Sequence, residues 1–288
     1  EGCVSINVGK TDESFSVYDH PRAMLFKKDT KLTQKEISSL LINANHQQSV
    51  LAEYASQSSE MSFFKLKLTN NDEIAATVRW LLLFVALSVL GLPFVFKLFE
   101  NLPARGVFFS KHLSLLLFCV LVWLLASTKL ANFTKDAIYI AGALFVALSL
   151  VLYVFQWNRI VLWFKKELAT ILISESLFFF AFTAFLFIRL ANPDLWHPYL
   201  GGEKPMEMAY LSATMRSPFM PPYDPWFAGE YLNYYYWGYF LVGTLGNLLK
   251  IAPVLVFNLA VPSFFALTLV GSFGIGHAIA GTWLGRGK

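Results

Sequence analysis

Long apolar runs alternate with short polar stretches from residue 75 onward. The runs cover 78–99, 113–130, 137–157, 168–190, 234–249 and 253–279. Crossing a hydrocarbon core of about 30 Å takes roughly 20 residues of helix. The first four runs meet that length, the fifth is shorter, and the sixth is long but interrupted by glycines. The pattern predicts an all-α polytopic membrane protein with about six transmembrane helices.

The beginning of the chain has a different pattern, because polar residues are frequent there and no apolar run is long. Alternation of polar and apolar residues at 14–18 predicts a half-buried strand, and 23–26 predicts a second one. Thr33 and Glu36 have the spacing of a capping box, which predicts a helix beginning at Thr33. The expected division is a small α+β soluble segment at 1–45, a linker at 46–74 and a transmembrane domain at 75–288.

Composition supports the membrane interpretation and excludes a nucleic-acid-binding protein. Hydrophobic residues make up 56% of the 288 residues and charged residues 15%, whereas soluble domains carry about 25% charged residues. The net charge is +4, and the basic residues flank the apolar runs instead of forming one patch, as nucleic-acid binding requires. Cys3 and Cys119 have neither a disulfide pattern nor metal-ligand spacing.

The distribution of basic residues predicts the orientation of the chain in the cell membrane. Two of the short connections are rich in them, through Lys97, Arg105, Lys111, Arg159, Lys165 and Lys166. Because positive residues favour the cytoplasmic side, both connections are expected there. The soluble segment and the long loop at 191–231 are then expected on the external face.

The loop at 191–231 differs from the segments around it and is the predicted functional site. It contains seven of the twelve prolines of the chain and several tryptophans and tyrosines. Its acidic residues are Asp194, Glu203, Glu207, Asp224 and Glu230. A connector between two helices needs only a few residues, and long structured loops commonly carry function. We therefore expect the loop to form a site.

Spacing within the loop suggests individual roles. Glu203 and Glu207 lie on one side of a helix whose first turn contains Pro205, and partial burial of a carboxylate raises its pKa toward that of a general base. The residues expected to bind phosphate or sugar are Lys204, Arg216, Arg189, His197, Trp196, Trp226, Tyr234, Tyr235 and Tyr236. Tryptophan and tyrosine are also normal at membrane interfaces, and acids in loops are normally solvated. That simpler interpretation remains open for each residue taken alone.

A set of motifs in this region resembles a known family. The motifs are RLANPDLWHP at 189–198, GGEKPM at 201–206, RSP at 216–218, PPYDPWFAG at 221–229 and NYYY at 233–236. They resemble the YYY-domain proteins, large uncharacterised integral membrane proteins of archaea and bacteria such as the Chloroflexi. The resemblance covers roughly residues 75–288. This family is in turn distantly similar to the GT-C glycosyltransferases, which use polyprenyl-phosphate sugars.

The resemblance implies a specific chemistry for the loop. GT-C enzymes carry their catalytic acid in the first long external loop, so Glu203 and Glu207 become the candidate catalytic residues. In the family an aspartate occupies the position of Glu207. The implied reaction is inverting transfer of a sugar from a polyprenyl phosphate, with Lys204 and Arg216 stabilising the phosphate. A divalent metal, Mg²⁺ or Mn²⁺, held by Asp224 is an optional part of this mechanism.

Other interpretations stay open beside the enzyme. The segments 13–22 and 25–28 resemble the end of a dolichyl-phosphate-mannose-type glycosyltransferase module, which implies that the full-length protein contains further fused modules. The expected partners are membrane lipids and a polyprenyl-phosphate sugar. The main alternative is a non-catalytic protein that binds or transports glycolipid. Glu175 is the charge nearest the middle of a predicted span and would favour transport. A scaffold for a membrane complex is a third interpretation.

Overall fold

The computed structural model describes residues 35, 71–191, 203–227 and 229–285. The chain divides into two units, Glu1–Lys67 and Leu68–Lys288, and nearly all of the described residues belong to the second. Apart from Lys35, which is helical, the predicted soluble segment lies outside the described residues. Its two predicted strands therefore stay predictions. No strand is formed within the described ranges, where the only β pairing is an isolated bridge between Tyr223 and Tyr231.

Helices account for most of the described chain. In order they are α1 (Asn71–Leu98), a 3-10 segment (Pro103–Phe109), α2 (Ser110–Ser127), a π turn (Phe133–Ala137), α3 (Ile138–Ala191), α4 (Lys204–Arg216), α5 (Tyr236–Leu249) and α6 (Pro253–Gly285). Four stretches in the described part are long and apolar enough to cross a membrane: Asp72–Leu98, Pro103–Ser127, Ile138–Ala191 and Pro253–Gly281. The prediction of a helical protein with several membrane spans is confirmed.

The helical bundle has two ends, and the candidate site lies at one of them. The connection from α1 to α2 is short, and Gly91 of α1 lies so close to the Ser110 carbonyl that a Cβ there would be 2.3 Å away. The two helices therefore run antiparallel. We call the end that contains the segment 99–109 the basic end, and the end that contains 128–137 and 203–235 the loop end. Helix α6 runs between them, with Asn258 bonded to Arg189 and Gly281 packed on Pro103.

Helix α3 folds back on itself. Its 54 residues would extend about 81 Å if the helix were straight, more than twice the membrane core. Ser149 donates a hydrogen bond to the Leu90 carbonyl at 2.9 Å, and Glu175 accepts one from Ser88 at 2.6 Å. On a straight helix Ser149 and Glu175 would be roughly 39 Å apart, yet both reach the same turn of α1. The helix must bend sharply between them, so both halves lie beside α1.

The predicted span at 234–249 is wrong. Helix α5 has 14 residues, which give about 21 Å of length. It begins where the Trp123 indole donates to the Tyr236 hydroxyl at 2.9 Å, near the end of α2. It ends where Arg79, near the start of α1, donates to the Leu249 carbonyl at 3.1 Å. Both positions are at the loop end of the antiparallel pair, so α5 starts and finishes at one end of the bundle.

Two glycines of α6 give a matched test of helix packing. A Cβ on Gly274 would stand 2.6 Å from the Phe108 Cβ, whereas one on Gly276 would meet nothing within 4 Å. We expect Gly274→Ala to destabilise the protein by about 1–3 kcal/mol, because Phe108 is buried and cannot move aside freely. Gly276→Ala should leave stability unchanged or raise it slightly. The melting temperatures of the two purified variants in detergent test this expectation. Equal melting temperatures for both variants would contradict this packing.

Candidate active site

The candidate site is built around the first turn of α4. Pro205 lies in that turn, and the Glu207 amide donates to the Glu203 carbonyl at 2.9 Å. Proline is favoured there because its missing N–H would have no partner inside the helix. The helical turn places Glu203 and Glu207 close enough for their charges to interact. The predicted helix through these residues is confirmed.

Glu207 lies in an environment that disfavours its charged form. Its side chain is half-buried, and burial is the main reason that its pKa is raised above the ordinary carboxylate value. The negative charge of Glu203 raises the pKa further, and Lys204 partly offsets the rise. Glu203 is exposed to solvent. The carboxyl of Glu207 therefore holds its proton to a higher pH than an ordinary glutamate does, and its carboxylate is a stronger base than that of an ordinary glutamate.

Tyr210 connects the acids to the rest of the site. It is buried one turn after Glu207, and its ring lies 5.8 Å from that of Tyr239 in α5. Burial is the main cause of its raised pKa, followed by the charges of Asp224 and Glu203. These interactions place the start of α4, the turn at Asp224 and the start of α5 in one cluster. The sequence did not single out Tyr210 or Tyr239 as site residues, although the spacing of Glu207 and Tyr210 fits one helix face.

The three consecutive tyrosines divide into two roles. The rings of Tyr234 and Tyr235 contact each other edge-to-face at 5.0 Å, and both side chains are exposed. Tyr235 has a positive φ of 72°, which turns the chain into α5. Tyr236 points the other way, because its hydroxyl accepts the bond from Trp123. The first two rings are thus accessible to a ligand, and the third fixes α5 to α2.

Asp224 holds the turn beside the cluster. Its Oδ1 accepts hydrogen bonds from the backbone amides of Trp226, at 2.8 Å, and Phe227, at 3.2 Å. The Trp226 ring is exposed at the surface of this turn. No group of three or more histidine, cysteine, aspartate or glutamate side chains in the described ranges is arranged to hold a metal ion. The metal at Asp224 stays a prediction, and no step below depends on it.

The predicted phosphate-binding cations are not brought together. Lys204 lies beside the acids, whereas Arg216 is the last residue of α4, about 18 Å away along the helix. Arg189 donates to the Asn258 side chain at 2.7 Å and lies 6.0 Å from the ring of Phe257 in α6. Only Lys204 of these three is placed at the acidic cluster. Trp196 and His197 lie outside the described residues.

Backbone hydrogen bonds anchor the loop to the bundle. The Phe133 amide donates to the Pro218 carbonyl at 2.7 Å, and the Leu232 amide donates to Pro222 at 2.7 Å. Ser217 closes α4 and also accepts a bond from the Tyr223 amide at 3.1 Å. Since backbone groups at both ends of the segment 217–232 are paired, the turn that carries Asp224 and Trp226 has a fixed position next to α4.

Comparison with known proteins identifies the family. The model of the family described as "Uncharacterized membrane protein (DUF2298)" matches residues 117–286. The matched region is more than half of the chain and runs from the middle of α2 to just past the end of α6, so it contains the whole candidate site. No curated protein and no solved structure matches the chain. The chain belongs to the DUF2298 family of uncharacterized membrane proteins.

Proposed function

We propose that the chain is part of a membrane glycosyltransferase that takes its sugar from a polyprenyl phosphate. The observation that carries the proposal is Glu207, a half-buried carboxyl with a raised pKa at the loop end of the helical bundle. The loop motifs resemble the YYY-domain proteins, and the distant similarity of that family to the GT-C glycosyltransferases suggests the reaction class. A lipid-linked donor fits a site next to the spans, because its polyprenyl tail stays in the membrane while its phosphate reaches the surface.

In this mechanism Glu207 removes the proton from an acceptor hydroxyl. The hydroxyl oxygen then forms a bond to the anomeric carbon, the bond between that carbon and the phosphate oxygen breaks, and the lipid phosphate leaves with inversion at the carbon. Lys204 stabilises the negative charge on the leaving phosphate. The exposed faces of Tyr234, Tyr235 and Trp226 contact the sugar. Glu203 increases the basicity of Glu207 through its charge.

The pH dependence of transfer tests the role of Glu207. The base must be deprotonated, so activity should rise with pH through the raised pKa of Glu207. Glu203→Gln removes a charge that raises this pKa, and the rising limb should move to lower pH. Lys204→Gln removes a charge that lowers it, and the limb should move to higher pH. Profiles of kcat/KM for the three proteins provide the comparison. Shifts in the same direction, or none, would exclude Glu207 as the titrating base.

We also propose an orientation for the site. Helices α1 and α2 and the two halves of α3 give four crossings before the loop, which put the start of α1 and the loop end on the same side. Helix α6 is the fifth crossing. Because the two short connections that are rich in basic residues both lie at the other end, we assign the loop end to the outside of the cell membrane. In a chain with both native cysteines replaced, Glu230→Cys should react with an impermeant maleimide on intact cells. Lys166→Cys should react only after permeabilisation, and the reverse pattern would invert the topology.

The alternative function is binding or transport of a glycolipid without chemistry. One observation favours it, the ion pair of Lys111 and Glu175 between α2 and α3 inside the bundle. Ionisable groups within membrane spans commonly mark pathways for ions or substrates. The two functions differ in a direct readout: an enzyme converts a labelled polyprenyl-phosphate sugar into a new product, whereas a transporter moves or binds it unchanged.

A further inference from the structure

A polar cavity lies at the basic end of the bundle, away from the candidate active site at the loop end. It has a volume of about 260 Å³ and lies between the end of α1, the 3-10 segment and the part of α3 before its bend. Its polar lining consists of Lys97, Glu100, Arg105, Gln156 and Arg159. Neither the proposed transfer reaction nor the loop uses these residues. The cavity therefore calls for its own explanation.

Two guanidinium groups converge on one aromatic ring in this cavity. The Arg105 Cζ lies 4.1 Å from the centre of the buried Phe96 ring, and the Arg159 Cζ lies 6.0 Å from it. The two cations are thus no more than about 10 Å apart, the sum of these distances. Arg105 also donates to the Phe96 carbonyl at 3.1 Å, which fixes its position. Both guanidiniums line the same cavity, and forked guanidinium donors are the groups that bind a tetrahedral anion bidentately.

The lining of the cavity carries an excess of positive charge. Three cationic side chains face Glu100, so the lining carries a net charge of +2. Within the described ranges neither Lys97 nor Arg159 forms an ion pair with an acid. Arg159 is exposed and lines the cavity, so its guanidinium is accessible to an anion there. An anion bound there would relieve the repulsion between the cations and satisfy their donors.

The surroundings of the cavity indicate a lipid as the source of that anion. Phe155, which lines the cavity, is 82% exposed, and its neighbour Val154 and Leu162 near the bend are also largely exposed. Large apolar side chains on the outside of a membrane bundle contact acyl chains. The cavity thus combines a cationic interior with an apolar rim, at the depth where α1 ends and α3 bends. Basic pockets between spans at such a position bind anionic headgroups.

We propose that this cavity binds the phosphate of an anionic lipid headgroup. Arg105 and Arg159 donate to the phosphate oxygens, Lys97 neutralises charge at the mouth, and the acyl chains lie along Phe155. Free inorganic phosphate shares the headgroup chemistry but lacks the chains, so the apolar rim distinguishes the two. The site is independent of the proposed glycosyl transfer and of its acids.

The test measures lipid binding by the purified full chain in neutral detergent micelles. Phosphatidylglycerol should raise the melting temperature and bind with saturation, whereas phosphatidylcholine and inorganic phosphate at equal concentration should not. Arg159→Gln should weaken binding of phosphatidylglycerol about tenfold, since a charged hydrogen-bonded contact is lost. Arg159→Lys keeps the charge but not the forked donor set, so its affinity for phosphatidylglycerol should lie between those of the wild type and Arg159→Gln.

Lys166→Gln is the matched control, because it removes the same charge from the same helix at a side chain that is 81% exposed and does not line the cavity. It should bind phosphatidylglycerol like the wild type. Equal binding by Arg159→Gln and the wild type would overturn the proposal, and so would equal weakening by both variants. Stabilisation by inorganic phosphate as strong as that by phosphatidylglycerol would refute the lipid assignment. Unchanged melting of Arg159→Gln in phosphatidylcholine verifies that the variant is folded.

Discussion

Replacing Glu207 with glutamine is expected to reduce glycosyl transfer by a factor of about 10²–10⁴, the usual contribution of a general base. The amide keeps the size of the side chain but cannot accept the proton of the acceptor hydroxyl. Glu207 is half-buried, and its raised pKa reflects that burial disfavours its charged form. Removing that charge should not reduce folding stability. Initial rates from a labelled polyprenyl-phosphate sugar, with the melting temperature measured in parallel, give both quantities.

Glu230→Gln is the control for this substitution. Glu230 is an exposed acid in the same loop, and its backbone carbonyl accepts the Asp224 amide at 2.9 Å, an interaction that the side chain does not affect. We expect transfer within about twofold of wild type. A Glu207→Gln protein that retains full activity would remove Glu207 from the mechanism. Equal losses in both variants would point to a general effect of loop charge.

Breaking the ion pair inside the bundle should have the largest effect on stability. Lys111 is 2% exposed, its ammonium contacts the Glu175 carboxylate, and it lies 5.0 Å from the Phe178 ring. Ser88 donates to the same carboxylate oxygen. Either Lys111→Met or Glu175→Gln leaves the partner in an apolar environment without its counter-charge. We expect each to cost about 3–5 kcal/mol, measured by denaturant unfolding in detergent.

The double variant Lys111→Met with Glu175→Met should recover much of that loss, because it removes both charges and keeps the volume. Lys166 and Glu167 supply a comparison on the surface, where the two groups are 4.0 Å apart and the lysine is largely exposed. Lys166→Met should cost less than about 1 kcal/mol. If the buried and the surface lysine gave equal effects, or the double variant were the least stable, the pair would not have the role described.

The sequence located most of the spans because a long apolar run has few alternatives to a transmembrane helix. It failed to predict the continuous helix of α3, where a loop was expected between 157 and 168. That stretch contains neither glycine nor proline, so the backbone stays helical while contacts with α1 impose the bend. The short run at 234–249 was read as a span because hydrophobicity alone does not distinguish a crossing from a helix buried at one end.

Depth in the membrane was harder to predict than the presence of a helix. Lys111 was assigned to the rim of the bundle because it stands near a connection in the sequence. In the structure the segment Pro103–Phe109 forms a 3-10 helix packed on α6, which carries the chain inward, so Lys111 is already buried when α2 begins. The sequence placed Glu175 nearest the middle of a predicted span, but only the fold shows that Lys111 is its partner.

Local spacing explains how much of the site was predictable. Glu203 directly precedes α4 and Glu207 lies in its first turn, so their proximity follows from the period of a helix. The separation of Lys204 from Arg216 follows from the same helix, since their positions in the sequence put them at its two ends. The contact of Tyr210 with Tyr239 joins α4 to α5, and no local pattern contains that information.

Transfer of a sugar by the full-length protein in membranes tests the central claim most directly. The membranes are incubated with a panel of radiolabelled polyprenyl-phosphate sugars, and label is followed from the lipid donor to a new product. The account predicts transfer from at least one donor by the wild type, with inversion at the anomeric carbon, and its loss in Glu207→Gln. No transfer from any donor by a folded, membrane-inserted protein would contradict the account and favour glycolipid binding or transport.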